Sequence, residues 1–68
     1  MLRSTAIMFC MDLESKGIVG NVECVEGGEF TFTYIRDGRI ETAPVNYVEA
    51  EAWFKARHGR FSRMAGRL

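Results

Sequence analysis

The chain is poor in the residues that build the commonest chemical sites. Among 68 residues it has one histidine, two cysteines and one proline. A lone His58 cannot assemble a histidine-based metal set. Cys10 and Cys24 lack the close spacing of a zinc site and the numbers of a disulfide scaffold. No metal site and no cofactor is expected. Gly17, Gly20, Gly27 and Gly28 stand before predicted strands rather than a helix, so none opens a phosphate-binding loop. The longest apolar run, Ala6 to Met11, stops at Asp12. It is far short of the roughly 18 residues of a membrane span and shorter than a secretory signal core. The expected setting is the cytoplasm, with no membrane partner.

Net charge is also missing, because nine basic residues balance nine acidic ones. The zero hides a division. Residues 55–68 carry Lys55, Arg57, Arg60, Arg63 and Arg67 and no acid, which leaves four basic and nine acidic groups in residues 1–54. A body of −5 joined to an end of +5 bears on partners rather than on fold. The remainder, 47% apolar and 26% charged, is the composition of a folded domain and not of a disordered chain. A chain of this length makes one domain with a thin stability margin, burying only about 60% of its unfolded surface.

The fold expected is α+β: an antiparallel sheet of about four strands in a meander over residues 1–45, one C-terminal helix over 46–59 packed on one sheet face, and a basic tail over 60–68. A small barrel with a terminal helix is the near alternative. Ile7, Phe9, Met11 and Leu13 alternate with their neighbours and read as a strand over 5–13. Glu14 to Gly17 reads as a turn, and 18–26 as a second strand. The two turns would place Cys10 and Cys24 on opposite faces, against a disulfide between them. Phe30-Thr31-Phe32-Thr33-Tyr34-Ile35-Arg36 is the clearest strand, and Asp37-Gly38 the strongest hairpin signal. Pairing Arg36 with Arg39 and Tyr34 with Glu41 gathers the aromatics on one face and leaves Thr31 and Thr33 on the exposed one. A two-residue Gly27-Gly28 turn would break that face, so a bulge or longer loop is expected there. Pro44 cannot donate to a ladder, which places the strand before it at an edge.

Asn46 followed by Glu49 is a capping pair, and Gly59 is placed to end the helix. Tyr47, Ala50 and Phe54 form its apolar stripe. Trp53 lies beside that stripe, one turn before Arg57, where the guanidinium can stack on the indole.

The candidate binding residues are Trp53, Arg57, Arg60, Phe61, Arg63, Met64 and Arg67. On a continued helix the four arginines would share a face, about 15 Å long, with Phe61 and Met64 between them. That suits a partner surface of carboxylates or phosphates. No catalytic residue is assigned, because nothing adjacent in sequence activates Cys10 or His58. The function expected is that of a small non-enzymatic interaction protein that binds and modulates or inhibits a macromolecular partner, most simply a protein. Nucleic-acid binding through the arginine-rich end is the alternative. Val19, Val25 and Met8 on one exposed sheet face favour a homodimer. In size and plan the chain resembles the small accessory proteins of phages and mobile elements, anti-CRISPR inhibitors among them. That resemblance covers no motif and assigns no residue.

Overall fold

In a computed structural model, which describes residues 1–60, the chain is α+β. Helix α1 (Arg3–Ser15) is followed by strands β1 (Gly20–Cys24), β2 (Phe30–Arg36) and β3 (Arg39–Thr42), then by helix α2 (Tyr47–His58). The strands form one antiparallel sheet in the order β1-β2-β3. Among the described residues there are three strands and not about four, because the predicted strand over 5–13 is α1.

The reason lies in an apolar run that satisfies both periods. Odd positions alternate, but Ala6, Phe9, Cys10 and Leu13 also recur at i, i+3, i+4 and i+7. Three of these, Ala6, Phe9 and Leu13, are fully buried. The run is rich in Ala, Met and Leu and has one β-branched residue inside it, which favours the helix. Its C-terminus is a Schellman motif: Ile18 N–H donates to Leu13 O (2.9 Å) and Gly17 N–H to Glu14 O (2.9 Å), with Gly17 at φ +81°. What reads as a turn between two strands is a helix cap. At Gly20 a Cβ would lie 3.0 Å from Cys10 Sγ and 3.3 Å from Leu13 Cδ1, so glycine lets β1 approach α1.

The rest of the sheet follows the sequence closely. Arg36 pairs with Arg39 and Tyr34 with Glu41 across an Asp37-Gly38 turn in which both residues have positive φ. Between β1 and β2 the chain turns through a short 3-10 segment, Glu26–Gly28, and Cys24 pairs with Phe30 and Val22 with Phe32. This is the longer loop that one common apolar face requires. Thr31 departs from expectation: it is 1% exposed, and its hydroxyl donates to Ala43 O at 2.6 Å. Of the three residues expected on one exposed face, Val19 is 82% exposed beside β1, whereas Val25 sits in the loop and Met8 on α1.

Helix α2 has the predicted bounds. Asn46 Oδ1 accepts from Glu49 N–H at 3.2 Å, and Gly59 ends the helix at φ +78°. Ala50 and Phe54 are buried; Tyr47 is partly exposed at the stripe's start. The core joins rings from three elements. Phe9 of α1 stacks on Phe32 of β2 at 4.9 Å, and Phe54 of α2 lies 5.2 Å from Phe9 and 6.3 Å from Phe32. The N-terminal ammonium pairs with Glu29 and donates to Phe30 O and Val45 O, and Phe30 N–H donates back to Met1 O, which pins the start of α1 to the sheet.

Candidate partner-binding site

The last turn of α2 carries Trp53, Arg57 and His58 to one end of the molecule, where β2, β3 and the end of α1 bring further charge. The Arg57 guanidinium lies over the Trp53 ring at 4.6 Å, the stack expected from their i,i+4 spacing. Trp53 is half-buried, with its edge on Phe32 (5.9 Å) and Tyr34 (5.6 Å). The indole is thus held by core rings while it carries the Arg57 cation on its face. Arg57 Nε also reaches Glu41 Oε2 at 3.4 Å, and that carboxylate accepts the Tyr34 hydroxyl at 2.6 Å. The Tyr34 bond holds the Glu41 carboxyl below the usual range, with Arg57, Arg36 and His58 adding to the effect against partial desolvation. Burial first, and the Glu41 bond second, push the Tyr34 phenol well above its usual range.

Cations also close the helix end. Arg36 Nη1 donates to Arg57 O (3.1 Å), and Lys16 Nζ donates to His58 O (3.0 Å) and Arg60 O (3.1 Å). Arg57 O and His58 O are among the carbonyls a helix leaves unsatisfied, at the negative end of its dipole, and Arg60 O lies just beyond the cap. Lys16 also pairs with Asp12 Oδ2 at 2.8 Å and lies over the Phe54 ring at 4.7 Å. Lys16, Arg36 and Arg57, with the backbone of Arg60, thus converge on one end of the fold. Of the predicted binding residues, the structure brings Trp53, Arg57 and Arg60 together there. Phe61, Arg63, Met64 and Arg67 lie outside the described residues. Sequence reasoning missed Lys16 and Arg36, whose roles arise only once α1 and β2 meet the end of α2. The Asp12–Lys16 spacing of four was the one available signal, and it has meaning only on a helix.

His58 packs in an aromatic setting, 4.7 Å from Tyr34, 5.0 Å from Phe54 and 6.2 Å from Trp53. Its Nε2 is buried without a hydrogen-bond partner among the described residues. Burial lowers its pKa from the usual value; Arg36, Lys16 and Arg57 lower it further, and Glu41 opposes them. The unfolded chain then binds a proton that the folded one resists. Stability from this residue is complete above about pH 6.5 and is lost as the pH falls below that through the folded value. Thermal unfolding followed between about pH 7 and pH 5 should show a falling midpoint, and His58→Phe should flatten the fall. Loss attached to Glu41 comes at lower pH, where carboxylates titrate.

Neither cysteine forms a disulfide. Cys10 is half-buried on α1, not exposed on a sheet face, and burial pushes its thiol up to about 11. Cys24 is exposed. A mild thiol reagent at neutral pH should modify Cys24 first and Cys10 slowly, with the two rates converging in urea. Equal rates in the folded protein would contradict the packing of Cys10.

Among the described residues no group of three or more His, Cys, Asp or Glu could hold a metal ion, and no helix is long and apolar enough to cross a membrane. Comparison with known proteins finds no matching family model, and no curated protein or solved structure that matches the chain.

Proposed function

We propose that this protein is a non-enzymatic binding module that docks on a macromolecular partner, a protein, through the end of α2 and modulates it. The observation that carries this reading is the Arg57–Trp53 stack, set beside Lys16, Arg36 and Arg60. Trp and Arg dominate the residues whose loss weakens interfaces most. Here the indole is fixed by the core and the guanidinium by Glu41, so little side-chain freedom is lost on docking. The charge of the site calls for carboxylates on the partner. In sequence the chain goes on with Phe61, Arg63, Met64 and Arg67, apolar residues set between cations.

A second reading, contact with nucleic acid, draws on the same four cations. Salt separates the two, because phosphate contacts release counterions and weaken steeply with ionic strength. The experiment is a native pull-down at low and moderate salt with three baits: the intact chain, Arg57→Ala, and a chain ending at Gly59. The expected result is one stoichiometric protein that survives moderate salt on the intact bait. Its affinity should fall by about thirtyfold on Arg57→Ala. Recovery of nucleic acid alone, lost with salt, would replace this reading with the second. Equal capture by all three baits would remove the site from α2.

A further inference from the structure

The free edge of β3 has the geometry of a strand awaiting a partner. Among the described residues, the order β1-β2-β3 leaves β3 unpaired on one side. Ala43 N–H donates to Phe32 O, so residues 43, 41 and 39 form the hydrogen-bonded pairs with β2. The N–H and C=O groups of Ile40 and Thr42 therefore point away from the sheet. No other described backbone group bonds them. Ile40 is 76% exposed. It ends a row of apolar side chains lying side by side on the outer face, since Ile35 (66% exposed) pairs with Ile40 and Val19 (82% exposed) is next in register to Ile35.

The geometry points to a second copy of this chain as the partner, joined antiparallel along β3 about a two-fold axis at Ile40. Charge selects both the occupant and the register. With the axis at Ile40, the two Ile40 residues exchange both backbone bonds, and each Arg39 stands opposite the Glu41 of the other copy. Moving the axis to residue 41 sets Glu41 against Glu41, and like charges directly opposed are unfavourable. Moving it to residue 42 sets Ile40 opposite Pro44, which has no N–H to give. Within one chain Arg39 stands across from Arg36, also a like-charge pair, and has no ion-pair partner among the described residues. The second copy supplies that carboxylate. The result is a six-stranded sheet with the row Val19, Ile35, Ile40 continued into its symmetric counterpart. Both edges being identical, the contact is isologous and closes at two copies. The β3 edge meets the end of α2 at Glu41, which also holds Arg57, while Trp53, Arg57 and Lys16 lie on other elements, so a dimer presents two copies of the proposed docking site.

The test is sedimentation velocity on the full chain over a wide concentration range, with circular dichroism to verify the fold of each variant. The intact chain should pass from monomer to dimer as concentration rises. Arg39→Glu should weaken the dimer by about tenfold or more, since two attractive pairs become repulsive. Ile40→Pro should abolish it while sparing the β2–β3 ladder, because the lost N–H points outward. Ile40 N–H should also exchange more slowly with solvent as concentration rises. A chain that stays monomeric up to about 1 mM overturns the inference. So does a dimer that both folded variants leave unchanged.

Discussion

Phe9→Ala should cost about 3–5 kcal/mol and leave little or no folded protein at room temperature. Phe9 has no exposed surface, and its ring meets Phe32, Phe54 and Tyr47 at 4.9, 5.2 and 6.1 Å. It is the side chain through which α1, β2 and α2 share one core. A domain of this size has total stability near the low end of about 5–15 kcal/mol, so one cavity of that size removes most of it. The measurement is urea unfolding followed by far-UV circular dichroism and Trp53 fluorescence. Two control variants make the result specific to a helix. Met11→Ala should cost much less than Phe9→Ala, because Met11 is 37% exposed. Ala6→Leu should be strongly unfavourable, because Ala6 is fully buried and extra methylenes overpack a core. If residues 5–13 were a strand with odd positions inside, the pattern would reverse: Met11→Ala would cost as much as Phe9→Ala, and Ala6→Leu would be tolerated.

What the sequence made legible is what local chemistry decides. Asp37-Gly38 sets a two-residue turn, and that turn fixes the β2–β3 register down to Tyr34 opposite Glu41. Asn46 and Gly59 bracket α2, because caps are written in single residues. The loop at Gly27-Gly28 could be inferred because only one register joins the apolar faces of β1 and β2. α1 was not legible for two reasons. Leu2 stands at its N-cap and offers no side-chain bond, so no start signal exists. Its six-residue apolar core also fits either period. The stop signal was present in Lys16-Gly17, but a glycine after polar residues reads equally as a turn. Reading α1 as a strand also hid Asp12, a carboxylate with no exposed surface that a strand model leaves facing water. The candidate site was half legible. Arg57 over Trp53 follows from helix spacing, whereas Lys16 and Arg36 arrive through tertiary structure.

Lys16→Met should destabilise the fold by about 3 kcal/mol, although the residue stands at the surface end of a helix. A surface lysine in an ion pair normally contributes about 0–1 kcal/mol. Lys16 differs because its partner is buried: the Asp12 side chain has no exposed surface, and that of Lys16 is 30% exposed. Removing the ammonium takes from the buried Asp12 carboxylate the Lys16 cation that pairs with it at 2.8 Å. It also strips His58 O, at the end of α2, and Arg60 O just beyond it of the Lys16 donor and takes the ammonium off the Phe54 ring, while methionine keeps most of the apolar length of the side chain. The loss therefore reports the charge rather than packing. A double-mutant cycle with Asp12→Asn isolates the pair. Single and double variants measured by urea unfolding should give a coupling energy of about 1–3 kcal/mol, with the double variant costing less than the two single changes together. Simple additivity would mean that Lys16 acts only through His58 O, Arg60 O and the Phe54 ring. The same variant bears on the docking site, because Lys16 fixes the backbone from which Arg57 and Arg60 project. Partner binding should weaken in Lys16→Met even under conditions where circular dichroism shows the chain still folded.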